Sequence, residues 1–97
     1  MKSAAWHKRE LLLVLQRAAR NRRRLDSFLE DLLTPQEYED LLTRWQIVKR
    51  LAIGVPQRQI AKVLQVSIAK VTRGSRELRD PKGGFWQLLH LISKRKK

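Results

Sequence analysis

The sequence predicts an all-α protein of six short helices, two of them paired as a helix-turn-helix, and three observations carry that expectation. Apolar residues recur three and four positions apart through most of the 97 residues. Alternating β-branched runs are scarce. Chain breakers fall at Thr34-Pro35, Gly54-Val55-Pro56 and Pro81-Lys82-Gly83-Gly84.

Leu11, Val14, Leu15 and Ala18 lie on one helical stripe, which predicts a first helix over 4–22 ending on the basic run Arg20-Asn21-Arg22-Arg23-Arg24. Leu25, Phe28, Leu29 and Leu32 define a second, over 25–32. Thr34 then suits an N-cap, Pro35 the first helical position, and Glu37 the reciprocal acid of a capping box. That third helix runs to Ile53, with Tyr38, Leu41, Leu42, Trp45, Val48, Leu51 and Ala52 turned to apolar surroundings, and Gly54 stops it. Pro56 opens a fourth helix over 57–64. Gln65-Val66-Ser67 is a turn with Val66 as its buried plug and Ser67 as the N-cap of a fifth helix over 68–78. A sixth covers 85–92, followed by the basic tail Ser93–Lys97, whose lysines and arginine frame a loose phosphate-contacting end. Trp6, Trp45 and Trp86 are expected in the core or between subunits.

Length sets one domain, residues 1–97, with a basic N-terminal helix in 1–24, core helices in 25–53, the helix pair in 56–79 and a C-terminal helix in 85–93. So short a chain of helices encloses a thin core, which leaves a role for a partner subunit. Cysteine is absent, so disulfides and Cys-based zinc sites are excluded. No apolar stretch is long enough for a membrane helix and no signal peptide is evident, giving an expected cytoplasmic location without a membrane partner. His7 and His90 form no metal or catalytic constellation, so neither a metal nor an enzymatic activity is expected.

Net charge is +13, unevenly spread. Residues 1–24 carry eight basic side chains and one acidic, 25–53 three and six, and 54–97 eleven and two. A chain this basic suits a phosphate polyanion, whose condensed counterions it would release. The helix pair fits that partner. Ile60, Leu64, Val71 and Leu78 form its buried side, and small Ala61 admits the close approach of the second helix. Ser67, Ala69 and Thr72 are small enough for a helix lying deep in a major groove, and Lys70, Thr72 and Arg76 point outward. Residues 57–79 hold six basic side chains and one acidic, counting Arg58 and Lys62. The turn position often filled by glycine, for its left-handed backbone, is Gln65 here.

Leu33-Thr34-Pro35, Thr43-Arg44, Ile47-Val48, Gly54, Gln57-Arg58 and above all Ile68-Ala69-Lys70-Val71-Thr72-Arg73-Gly74-Ser75 resemble the bacterial tryptophan repressors. The likeness covers residues 33–78. It implies an intertwined homodimer on palindromic double-stranded operator DNA. Its reading heads would enter successive major grooves roughly 34 Å apart, a spacing and a water-mediated mode of contact for which that family is itself a reference case. It further implies L-tryptophan as corepressor. Arg44 and Arg73 would sandwich the indole, a stacking that planar guanidinium groups favour. Leu33 and Thr34, from the other subunit, would close the pocket, and Gly74 would leave room for the ring. Gln57, Arg58, Lys62, Ile68, Ala69, Lys70, Thr72 and Arg76 would form the DNA-facing set. Three features depart from the family pattern: a loop one residue shorter at Gly54-Val55-Pro56, Glu77 where a serine helps hold the ligand ammonium, and the strongly basic N-terminal segment.

Other readings stand beside this one. Arg44 on an amphipathic helix reads equally as a solvated side chain, Arg73 as a phosphate contact, and Arg20–Arg24 as a solvated face or an extra DNA clamp. At the level of the whole chain the alternatives are a regulator of the same fold with another ligand or none, a small basic nucleoid or RNA-binding protein, and a protein-interaction module.

Overall fold

A computed structural model describes residues 1–95, with side chains as far as Ser93. The expectation for the tail at Lys94–Lys97 lies outside the described residues for Lys96 and Lys97, and outside the described side chains for Lys94 and Arg95. The described chain is all-helical, without strands: α1 Ala4–Ala18, α2 Arg22–Leu32, α3 Pro35–Ala52, α4 Gln57–Leu64, α5 Ile68–Glu77 and α6 Gly84–Arg95. It divides into two compact units, Met1–Glu39 and the residues from Asp40 onward.

In the first unit Ser3 caps α1, its Oγ accepting from the Trp6 backbone N–H at 3.2 Å. The helix ends at Ala18, four residues before the predicted position. The reason is Asn21. Its backbone is extended (φ −137°) and its Oδ1 accepts the Arg24 N–H at 2.9 Å, so it starts a new helix where periodicity alone would have continued the old one. The run 20–24 therefore straddles a turn and the first turn of α2. Ala18 is buried against this bend, with Leu15, Leu25, Phe28 and Leu29 half-buried.

Thr34 and Glu37 form the predicted capping box. The Thr34 N–H donates to Glu37 Oε1 at 2.9 Å, and the Glu37 N–H donates to Thr34 Oγ1 at 3.1 Å. One turn on, Tyr38 Oη donates to Asp26 Oδ1 at 2.7 Å and ties the start of α3 to α2. That hydrogen bond, helped by burial and by the Asp26 and Glu30 charges, raises the phenol above its ordinary value of 10.0.

The second unit holds the densest packing. Ile47 from α3, Ile60 from α4 and Val71 from α5 form the core, with Leu51, Val55, Ala61, Leu64 and Val66 against it. Gly54 ends α3 with φ +89°, a conformation open to glycine at little cost. Trp86 on α6 donates its indole N–H to the Leu78 carbonyl at 2.8 Å and stacks on His90 with ring centroids 5.6 Å apart, which fastens α6 to the end of α5.

Much apolar surface stays uncovered on the single chain. Leu11, Leu12, Leu13 and Val14 on α1, Leu41 and Leu42 on α3, and Leu88, Leu91 and Ile92 on α6 are all exposed. Trp6 is exposed as well, while Trp45 and Trp86 are half-buried, so none of the three tryptophans fills the core of one chain. A short chain of helices has too little interior to enclose them.

Candidate nucleic-acid interface and ligand cleft

The helix pair is built by local chemistry. Pro56, extended at φ −60° and ψ 143°, precedes α4. After Leu64 the chain turns through Gln65, which adopts the left-handed conformation (φ 56°, ψ 47°) expected of a glycine. Val66 follows as a half-buried plug on the core. Ser67 then accepts the Lys70 N–H at 3.2 Å through Oγ and starts α5. Ile60 and Val71 are fully buried on the inner side of the pair.

On the outer side Ile68, Ala69 and Lys70, the first turn of α5, are exposed together with Arg58, Lys62 and Arg76. These residues were expected to face DNA. Thr72 and Gln57 belong to the same expected set but hold each other: Thr72 Oγ1 lies 3.0 Å from Gln57 Oε1 and 3.0 Å from the Ile68 carbonyl, and both side chains are half-buried. They lock α5 to α4 rather than extending freely.

A cleft of about 510 Å³ runs between α3, α5 and the start of α6, lined by Asp40, Thr43, Arg44, Ile47, Lys70, Arg73, Gly74, Glu77 and Phe85. The volume falls in the ordinary range for small-molecule sites, about 300–1,000 Å³. Four expected ligand residues come together here: Arg44, Arg73, Gly74 and Glu77. Leu33 and Thr34 do not line it; they belong to the first unit, Leu33 half-buried and Thr34 engaged in its cap. Sequence reasoning missed Asp40, Thr43, Ile47 and Phe85 as lining residues and gave Lys70 to DNA alone. Asp40 sits four positions before Arg44, and Thr43 four before Ile47, so helical spacing was the available signal for both. No local pattern marks Phe85.

The cleft carries both signs. Arg44, Lys70 and Arg73 oppose Asp40 and Glu77, and Lys70 Nζ lies 4.0 Å from Asp40 Oδ1. Ile47 and Phe85 add apolar surface between the charges. Guanidinium groups grip a carboxylate, carboxylates grip an ammonium, and the remaining surface suits an apolar side chain. Lys70 thus stands on both surfaces at once, at the head of α5 and at the mouth of the cleft.

These features define an all-helical, helix-turn-helix chain with a zwitterion-suited cleft beside its second helix. The chain belongs to the Trp repressor protein family, whose model matches residues 7–92. It is similar to a Trp operon repressor homolog of Vibrio vulnificus (strain YJ016), 49% identical over 55 residues, 56% of this chain and 54% of that protein. A Trp operon repressor homolog of Vibrio cholerae is 45% identical over 69 residues, covering 66% and 67%. One of Aliivibrio salmonicida is 36% identical over 89 residues, covering 87% and 81%. The match to the Vibrio vulnificus protein spans about half of that relative's length. No solved structure matches the chain. Among the described residues no helix is long and apolar enough to cross a membrane.

Proposed function

We propose that this chain is a transcriptional repressor that binds a palindromic DNA operator as an intertwined homodimer, with L-tryptophan as corepressor. The observation that carries the reading is the shared position of α5. Its first turn, Ile68-Ala69-Lys70, is exposed for a major groove, while Lys70, Arg73, Gly74 and Glu77 of the same helix line the cleft. A ligand held there touches the reading helix directly, so its differential affinity for two helix positions shifts the population toward the one that fits DNA.

Within the cleft Arg44 and Arg73 stack on the indole and pair with the carboxylate, Glu77 takes the ammonium, and Leu33 and Thr34 of a second copy close the site. The uncovered leucines of α1 and α3 support the dimer, since a single chain leaves them in water. Gln57, Arg58, Lys62, Ile68, Ala69, Lys70, Thr72 and Arg76 face the duplex, Gln57 and Thr72 by holding α5 in place. The names of the relatives accord with this role, for which we expect a location in the cytoplasm.

The test is operator selection from a random duplex pool, followed by affinity measurements with and without L-tryptophan at fixed salt. A selected palindrome bound more tightly when tryptophan is present is the expected result. Equal affinity in both conditions removes tryptophan from the mechanism, and failure to select any sequence removes the repressor.

A further inference from the structure

We propose that Arg20, Arg22, Arg23 and Arg24, at the bend between α1 and α2, form a second duplex-DNA surface that contacts phosphates in addition to those met by α5. The choice of duplex rests on the operator-binding reading above.

All four arginines are exposed. None of them takes part in an ion pair among the described residues. The one acid among residues 20–29, Asp26, instead accepts the Tyr38 hydroxyl. Arg22 and Arg23 also border a shallow cleft of about 530 Å³ beside Tyr38.

Their placement runs against helix electrostatics. Arg22–Arg24 fill the first turn of α2, which holds no acid, while Asn21 fixes the helix start among them. A helix N-terminus carries positive partial charge and disfavours cations. Three cations there oppose the local rule, and such a conflict points to a function that uses the charge. An anion laid across this turn reverses the sign: free N–H groups and guanidinium groups then act together.

A phosphate backbone fits better than other anions. Guanidinium groups pair bidentately with phosphate. Single-stranded RNA recognition needs exposed aromatic platforms for base stacking, and the nearby Phe28 and Tyr38 are half-buried. The apolar stripe of α2 is half-buried at Leu25, Phe28 and Leu29 and exposed at Leu32 alone, which leaves little of that helix to insert into a lipid surface.

The full chain, wild type and with R20Q/R22Q/R23Q/R24Q, is titrated with a random-sequence duplex and with single-stranded RNA of equal length across a salt series. Each phosphate contact contributes a log–log slope of about 0.9 on duplex. The quadruple variant is expected to lower the duplex slope by about 2 to 4, with little change on RNA and full helicity by circular dichroism. The matching set of Arg→Lys changes should restore most of the slope.

An unchanged duplex slope with sequence preference intact overturns this surface and leaves the operator reading untouched. A larger loss on RNA than on duplex overturns it as well. If the slope drops as expected although no sequence is ever preferred, the surface stands and the operator reading falls. A wild-type chain that binds no duplex sinks both.

Discussion

Gly74 on α5 and Ile47 on α3 meet with no room for a methyl group between them: a Cβ at position 74 would come 3.0 Å from Ile47 Cγ2 and 3.4 Å from Leu51 Cδ1. The glycine within the most distinctive sequence run therefore has a packing reason beside any ligand reason. It sets how closely α5 lies on the core.

Gly74→Ala pits two effects against each other. Alanine favours the helix by about 1 kcal/mol, whereas overpacking beside the buried Ile47 costs about 1–3 kcal/mol. The expected net is a loss of about 1 kcal/mol, and Gly74→Val should lose more because it adds two further methyl groups. Urea midpoints at constant m-value read this out. A stabilised alanine variant would mean that Ile47 yields freely.

Gln65 sits in the left-handed region at φ 56°, which costs an L-residue about 1–2 kcal/mol. Glycine relieves that strain and gives back about 0.5–1 kcal/mol through a freer unfolded chain. Gln65→Gly is thus expected to stabilise the fold by about 0.5–1 kcal/mol, seen as a higher melting temperature. Gln65→Val should destabilise, since β-branched side chains tolerate this backbone poorly.

Tyr38 is the single tyrosine of the chain, so its ionisation is readable by ultraviolet absorbance alone. Its hydrogen bond to Asp26 raises the folded-state value above 10.0. A raised folded value favours the protonated form, so its contribution is fully present below 10.0 and is lost as the pH climbs through the folded value. Native protein should titrate above the unfolded chain, and Asp26→Asn should bring the two closer. Coincident wild-type curves would show that the bond does not persist in solution.

For the cleft, Arg73→Ala is expected to weaken both tryptophan and operator binding, because Arg73 lines the cleft from the reading helix. Lys70→Ala should chiefly lower DNA affinity or alter sequence preference. Calorimetry with tryptophan and duplex titration separate the two effects. Unaltered tryptophan affinity in Arg73→Ala would remove the proposed sandwich.

Caps and breakers made most of the fold legible. Thr34 with Glu37, Gly54 and Ser67 each carry their boundary in one or two side chains, and each stands where the chain pattern puts it. The end of α1 was not legible from periodicity, since Asn21 interrupts a run of good helix formers with a cap that the hydrophobic stripe does not register. In the cleft, Arg44, Arg73, Gly74 and Glu77 were accessible through family likeness. Asp40 was marked by its four-residue spacing from Arg44, whereas Phe85 was not legible, because it reaches the cleft only through the packing of α6 beside α3 and α5. The role of Thr72 was half visible: its small size is in the sequence, its grip on Gln57 fifteen residues away is not.

Among the described residues Ile47, Val48, Ile60 and Val71 are the large side chains sealed almost completely within one chain, while a row of leucines on α1 lies open to water. If two such chains form the proposed dimer, its folding is tied to its own abundance, because mass action then holds the native form together. Its thermal midpoint would climb with dose, dilution would hand it to proteases, and a cell could silence it by lowering its synthesis a few-fold, with no ligand involved.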